Sequence, residues 1–186
     1  LTYKTGGGKG KNETFLDIWH SQNIRPYWNA GFRYNLISSD GRYMNQKAKA
    51  YNVSFFSSYE YERWVVNFFI NQNNGKFNEN GGIVDKKYIR DTTINAENIP
   101  VNLSNTTNSY RNFNFYMQVQ YNIGKEKEVA RSKDTTITYP AKAILAVKVE
   151  DNVHRFKEAS VNRDFFPHTY LDTIKSADMQ SNRLYN

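Results

Sequence analysis

The stretch that decides the fold is NFNFYMQVQYNI, residues 112–123, in which every second side chain is apolar. The side chains between them are amides, except for Tyr116. Successive side chains of a β-strand point to opposite faces of a sheet, so a period of two indicates a strand with one apolar and one polar face. Residues 28–37 and 50–60 show the same alternation. The pattern therefore predicts a chain built from strands that are apolar on one face only.

Strands of this kind are spread along the whole chain. We predict strands near residues 13–20, 28–37, 50–60, 63–72, 112–123 and 141–150, with partial strands at 1–5 and 153–159 and a long loop at 73–110. The clearest strands last about 9 to 12 residues, which is the length of a tilted strand that crosses a bilayer. Strands of globular proteins average about 5 or 6 residues. The lengths thus favour a membrane barrel over a soluble sheet.

The chain is rich in large apolar residues, but polar residues separate them instead of leaving them in long runs. Aromatic residues make up 16% of the chain, yet the mean hydropathy is -0.79. No window approaches the roughly 18 apolar residues that a membrane-spanning helix needs. The sequence starts at Leu1 without the basic and apolar regions of a secretion signal. We therefore expect a segment of a longer chain.

The predicted fold class is all-β, an antiparallel transmembrane β-barrel, with residues 1–186 forming a segment of about 6 to 8 strands of a larger barrel. The predicted apolar faces carry no charge, which matters because a charge facing mid-bilayer lipid would cost on the order of 2 to 4 kcal/mol. The residues predicted to face lipid are Phe32, Phe55, Phe68, Phe115, Met117, Val119 and Leu145. The residues predicted to face the lumen are Asn29, Arg33, Asn35, Asn52, Asn67, Asn114, Gln118, Gln120, Lys142 and Lys148.

The strand ends and the connections are also typical of such a barrel. Short connections at residues 22–26 and 61–62 alternate with longer ones at 38–49 and 73–110. Outer-membrane barrels have short turns on one side and long loops on the other. Aromatic residues near the strand ends fit an interfacial girdle, although aromatic residues favour strands in general. These residues are Tyr27, Trp28, Tyr59, Trp64 and Tyr121.

The sequence gives no support to catalysis, to a cofactor or to nucleic-acid binding. The net charge is +7, but the basic residues are scattered over connections, where they form solvated loops. The glycine-rich residues 6–11 fail the phosphate-loop pattern, and His20, His154 and His168 occupy no catalytic or ligand spacing. Glu79 and Asp85 offer carboxylates for Ca²⁺, but their spacing favours a glycine-shaped loop start over a metal site. We predict neither an enzyme nor a metalloprotein.

Two segments carry a resemblance to a known family. Residues 29–43, NAGFRYNLISSDGRY, are followed by Asn45-Gln46-Lys47 and later by residues 78–85, NENGGIVD. These residues resemble the putative porin family of Bacteroidota outer membranes, in which a strand ending in Leu-Ile-Ser-Ser-x-Gly-x-Tyr precedes a hairpin and then Glu-Asn-Gly-Gly. The resemblance is strongest over residues 1–85 and implies a β-barrel in the bacterial outer membrane, with no catalytic residues to carry over.

The expected function is passive diffusion of small hydrophilic solutes, with outer-membrane lipid around the barrel. Arg33, Lys142 and Lys148 predict a weak anion preference through their positive potential. An alternative is a barrel-anchored binding or assembly component, in which the loop at 73–110 docks another outer-membrane protein or a surface glycan. A third hypothesis is a soluble β-sandwich that binds sugars.

Overall fold

A computed structural model describes residues 1–8, 11–91, 93–125, 127–131, 134–160, 162–167 and 176–185. Lys9, Gly10 and His168, which entered the sequence arguments above, lie outside the described residues. Eight strands form one antiparallel sheet in the order β1-β2-β3-β4-β5-β6-β9-β10, and β7 and β8 form a separate hairpin. The strand bounds are β1 Thr2–Gly6, β2 Glu13–Arg25, β3 Trp28–Ser39, β4 Ala48–Tyr61, β5 Trp64–Glu79, β6 Thr106–Ile123, β7 Lys127–Arg131, β8 Asp134–Thr138, β9 Ala141–Glu158 and β10 Ser176–Tyr185.

The connections fall into two classes at the two ends of the sheet. At one end, here called the turn end, Pro26-Tyr27 joins β2 to β3 and Glu62-Arg63 joins β4 to β5. Pro26 supplies the fixed φ that a tight turn uses, and Glu62 adopts a φ of 51°. At the other end, the loop end, the long connection at residues 80–105 contains the helix α1 (Lys87–Arg90) and a 3₁₀ turn (Ala96–Asn98). The predicted asymmetry of short and long connections is present in part, because the connection at residues 124–140, which contains β7 and β8, is long and lies at the turn end.

The strands run further than the sequence prediction at the loop end. The predicted loop at 73–110 is too long, because β5 continues to Glu79 and β6 already begins at Thr106. The predicted partial strand at 153–159 is not separate, because β9 is continuous from Ala141 to Glu158. Both corrections have the same kind of cause, because polar residues interrupt the alternation after Gln72 on β5 and at residues 150–152 on β9. The side chains do not decide the pairing there, since the ladder hydrogen bonds are formed by backbone N–H and C=O groups.

The loop end has a small core of its own. Ile99 and Leu103 are each 4% exposed, and the loop folds back on itself through a bridge between Ile83 and Val101. The backbone N–H of Leu103 donates to the carbonyl of Asn80 at 2.9 Å. The connection at residues 80–105 is therefore an ordered structure that stands over the end of the sheet.

Within the part of the chain that the structure describes, no second layer covers either face of the eight-stranded sheet. The buried hydrophobic residues among those described are Ile99, Leu103 and Val153. The accessible surface is 13708 Å², whereas a soluble monomer of 21.8 kDa would have about 9300 Å². The hypothesis of a soluble sandwich is wrong, because a sandwich packs two sheets face to face.

The predicted all-β fold class is confirmed. Within the described residues, β1 and β10 each pair with one neighbour and form the two edges of an open sheet, as expected for a segment of a barrel. Among the residues that the structure describes, none of the helices has the length and apolar character required to span a membrane.

Candidate functional site: the two faces of the sheet

The register sorts the predicted site residues onto two faces. Phe32 pairs with Phe55, and Phe68 pairs with Met117, so these side chains lie on one face, here called the apolar face. Phe115, Val119 and Leu145 lie on the same face by register. All of the residues predicted to face the lumen lie on the opposite face, here called the amide face: Asn29, Arg33, Asn35, Asn52, Asn67, Asn114, Gln118, Gln120, Lys142 and Lys148. The medium that each face meets stays a prediction.

Large side chains on the apolar face contact each other across strands while leaving their outer surfaces free. The ring centroids of Phe55 and Phe68 lie 6.0 Å apart, and those of Phe68 and Phe115 lie 5.6 Å apart. Phe32, Phe55 and Leu145 are 43%, 44% and 66% exposed. On β4 from Ala48 to Phe56, the side chains of this face are the exposed ones and those of the amide face are half-buried, whereas the order is reversed from Ser57 to Glu60. The contrast from Ala48 to Phe56 is the one expected when a sheet is convex on its apolar face.

Aromatic side chains cluster at the turn end of the apolar face. The rings of Trp64 and Tyr121 lie 4.7 Å apart, and Tyr27 contacts Tyr59 and Tyr61 at 5.7 Å and 4.6 Å. The indole N–H of Trp28 donates to Ser57 at 3.0 Å. The residues predicted to form a girdle are thus brought together at one end of the sheet.

The mainly apolar segment of the apolar face, here called the apolar band, does not run straight across the sheet. On β3 it extends from Trp28 to Leu36, and on β9 it extends from Ala141 to Val149. The register connects Leu36, through β4, β5 and β6, to Val153 on β9. The band is therefore displaced by about four residues, or about 14 Å, over four strand spacings that total about 19 Å.

This displacement defines an angle between the strands and the band. The two lengths give a strand tilt of about 35° from the normal to the band, and transmembrane barrels tilt their strands by about 35 to 45°. Between β3 and β9 no charged side chain falls within the band. On β2 the same face carries His20 and Gln22 beside Leu16 and Ile18, so the band is less apolar there.

The amide face carries a ladder of asparagines that the sequence prediction recognised only in part. The register places an asparagine of each of six neighbouring strands in one row: Asn35, Asn52, Asn73, Asn112, Asn152 and Asn182. Asn73, Asn112, Asn152 and Asn182 were missed as site residues. Continuing the two-residue period beyond Gln72 would have found the first of them.

Side-chain hydrogen bonds run along this asparagine ladder. The amide of Asn52 donates to Asn73 at 2.6 Å, and Asn73 donates to Asn112 at 2.8 Å. Asn112 in turn donates to Asn152. Amides carry two donors and two acceptor lone pairs, so each side chain keeps hydrogen-bonding capacity after these contacts. The ladder is a continuous uncharged polar surface.

Two of the three predicted lumen cations are neutralised on the amide face. Arg33 binds Asp17 with two hydrogen bonds of 2.9 and 2.8 Å, and Lys148 pairs with Glu150 at 2.8 Å. Because the paired carboxylates lie beside these cations, their positive potential is largely cancelled. Arg33 and Lys148 therefore no longer support the expected anion preference.

The apolar face also carries charges that the sequence prediction missed. They lie beyond the band at the loop end: Lys49, Lys76, Arg111, Asp151, Arg155, Lys157 and Arg183. Arg111 and Arg183 share Asp151, at 3.0 and 3.2 Å. The apolar face is thus aromatic at its turn end and mainly basic at its loop end.

The two sequence segments that carry the family resemblance meet at the loop end. The amide of Asn45 donates to the carbonyls of Glu79 and Leu103 at 2.7 and 3.2 Å. Asn45 has a φ of 52°, a left-handed conformation that asparagine tolerates well. Lys47 pairs with Asp40 at 2.8 Å, and this contact holds the pKa of the Asp40 carboxyl below its usual value. These segments join the β3–β4 loop to the long connection.

The described residues contain no group of three or more side chains placed to hold a metal ion. Asp85, considered above for Ca²⁺, instead accepts the backbone N–H of Lys87 at 2.9 Å and pairs with the Lys87 ammonium at 3.2 Å. The backbone N–H and then the ammonium hold the pKa of Asp85 below its usual value. His20 and His154 lie on opposite faces of the sheet.

Comparison with known families gives one match. A family model described as "Putative porin" matches residues 1–186, which is the whole sequence. No curated protein and no solved structure gives a significant match to the chain.

Proposed function

We propose that this chain, which belongs to the family described as "Putative porin" over residues 1–186, forms part of the wall of an outer-membrane pore for small hydrophilic solutes. In this proposal, the apolar face meets lipid and the amide face lines a water-filled lumen. The side chains at the lumen then include a row of uncharged amides across six strands, which exchange hydrogen bonds with water and with polar solutes at little net cost.

The observation that carries the proposal is the oblique course of the apolar band. A soluble sheet has no reason to displace its apolar segment by about four residues between β3 and β9, whereas a barrel in a bilayer must keep its apolar band in the membrane plane. The strand tilt of about 35° that follows from the register lies within the range of transmembrane barrels. On β6 the band runs from Phe113 to Ile123, about 34 Å along the strand and about 28 Å in height, close to the apolar band of about 25 Å in such barrels.

The solutes that fit this wall best are uncharged. The asparagine ladder supplies donors and acceptors without net charge, and Arg33 and Lys148 are paired with carboxylates. We therefore expect ions of both signs to pass with little discrimination at this part of the wall. Neutral polar solutes would meet no electrostatic barrier here.

Planar-bilayer conductance of the full-length protein that contains these residues tests the proposal. We expect open-channel conductance that rises with salt concentration and a reversal potential near zero in a KCl gradient. A protein inserted in the bilayer but without conductance would reject a pore. A variant with Asp17→Asn and Glu150→Gln leaves Arg33 and Lys148 unpaired, so its reversal potential should shift towards anion selectivity if the amide face lines the lumen.

A second candidate function, docking of a partner through the loop end, is favoured by the ordered connection at residues 80–105. Val84 and Ile89 on this connection are 56% and 64% exposed, beside a core that contains Ile99 and Leu103. Exposed apolar side chains on an ordered loop are a feature of binding surfaces. A plugged barrel without conductance that captures a partner protein or a surface glycan would favour this second function.

A further inference from the structure

A basic groove of about 570 Å³ lies on the apolar face, beyond the loop-end edge of the apolar band. Its walls come from β4, β5, β6 and β9, which are inner strands of the sheet. The cationic side chains that line it are Lys47, Lys49, Lys76, Arg111 and Arg155, and none of its lining residues is acidic. The groove therefore lies in the part of the sheet that closure of the barrel would affect least.

Two of these cations face each other directly. Lys49 and Lys76 are register partners on β4 and β5, and like charges at such positions repel each other. Among the described residues, Lys49, Lys76 and Arg155 have no acidic partner within ion-pair distance. By contrast, Lys47 is paired with Asp40 and Arg111 with Asp151. The fold supplies counter-ions around the groove but not at its centre.

The groove lies at the level where a lipid headgroup would be. This step rests on the proposed function, in which the apolar face meets lipid. Lys49 and Arg111 each lie two residues, or about 7 Å along the strand, beyond the band edge at Tyr51 and Phe113. Arg155 lies six residues, or about 20 Å, beyond Val149, so the groove begins next to the band and extends outward from it. The interfacial layer of a bilayer is about 5 to 8 Å thick on each side of the hydrocarbon. Lysine and arginine side chains also extend towards this layer from nearby positions.

We propose that this groove binds the phosphate of a phosphorylated glycolipid headgroup in the leaflet at the loop end. Arginine forms bidentate hydrogen bonds with phosphate, and lysine neutralises it as a point charge. Tyr51 and Val153 add apolar surface to the lining, which suits an anion attached to a lipid better than one free in solution. The long connections place this end on the outer side of the membrane, since outer-membrane barrels keep their short turns in the periplasm.

Native mass spectrometry of the full-length protein in detergent tests this proposal, with bisphosphorylated lipid A as the probe. We expect one or more lipid molecules to bind, and the triple variant Lys49→Gln, Lys76→Gln, Arg155→Gln to bind at least tenfold more weakly. The matched control removes the same charges from exposed loop positions, as Lys86→Gln, Arg90→Gln, Arg163→Gln. This control should bind the lipid as the unaltered protein does.

Two further arms identify the source of the phosphate. Dephosphorylated lipid A should bind at least tenfold more weakly, and inorganic phosphate should fail to displace the lipid at equal concentration. Equal lipid binding by the triple variant and the control would overturn the proposal, and so would tight binding of inorganic phosphate alone. Conductance is measured on the same variants. Absence of conductance together with unchanged lipid binding would count against the proposed function and not against this lipid site.

Discussion

At the scale of single residues, Phe115 and Gln118 are three positions apart on β6 but lie on opposite faces. If the apolar face meets lipid, Phe115→Arg places a charge at the level of the hydrocarbon, at a cost of about 2 to 4 kcal/mol. Gln118→Arg places the same charge against water and should cost less than about 1 kcal/mol. We expect the first variant to lose most of its folded, heat-modifiable form in membranes and the second to keep it. Equal yields of both variants would contradict the assignment of the two faces.

Gly31 lies at a position where the neighbouring atoms leave no space for a larger side chain. A Cβ added at Gly31 would lie 2.4 Å from Cζ of Phe56 and 2.6 Å from the carbonyl oxygen of His20. Phe56 is its register partner, so its ring covers the glycine on the amide face. Gly6, in contrast, has no atom within 4 Å of such a Cβ.

Gly31→Ala should therefore destabilise the sheet by about 1 to 3 kcal/mol, because overpacking forces the ring or the backbone to shift. Gly6→Ala is the matched control and should change stability by less than about 1 kcal/mol. The midpoint of urea unfolding of the full-length protein in detergent measures both effects. If Gly31→Ala and Gly6→Ala had the same midpoint, the ring of Phe56 would not exclude a side chain at position 31.

At the scale of elements, the sequence predicted strands well where the period of two was unbroken and poorly where it was not. The alternation at 112–123 gave the faces of β6 correctly, because the register places Phe115 and Gln118 as the pattern implies. The extensions to Glu79 and Thr106 were missed, because both faces become polar there and periodicity disappears. Lys76 and Arg111 of the basic groove lie in these extensions, so the sequence could not place these two cations on a face.

The hairpin of β7 and β8 lies within the connection at residues 124–140, at the turn end. Its strands pair with each other and form a sheet separate from the eight-stranded one. The ends of the connection are already close, since Ile123 and Ala141 are register partners. The hairpin is therefore an insertion between two strands that a tight turn would join.

Replacing residues 124–140 by Asn-Gly should leave the eight-stranded sheet able to assemble, because this dipeptide favours the two-residue turn of an antiparallel pair. Replacing residues 80–105 in the same way should impair assembly, since Asn45 donates to the carbonyl of Leu103 and Asn162 donates to the carbonyl of Asn102 in that connection. The amount of folded protein in the membrane, judged by heat modifiability, measures both. Loss of assembly after the first replacement would show that the hairpin supports the sheet.

At the scale of the whole molecule, the eight described strands form an open sheet, which has to be part of a closed structure if it spans a membrane. Unpaired backbone groups at a sheet edge cost several kcal/mol each in hydrocarbon, so a spanning sheet must close. The sequence predicted this open sheet and the family, because alternation and loop asymmetry are properties of the chain alone. The tilt of about 35° could not be predicted, since it depends on a register that only the paired strands define.

The central claim is that the amide face of the sheet meets water while the apolar face meets lipid. The chain contains no cysteine, so single cysteines can be placed along residues 113–120 in a full-length protein cleared of other cysteines. Labelling with a membrane-impermeant maleimide in intact membranes then reports water access at each position. We expect strong labelling at 114, 116, 118 and 120 and weak labelling at 113, 115, 117 and 119. Uniform labelling along the strand, or strong labelling at the positions of the apolar face, would contradict the account.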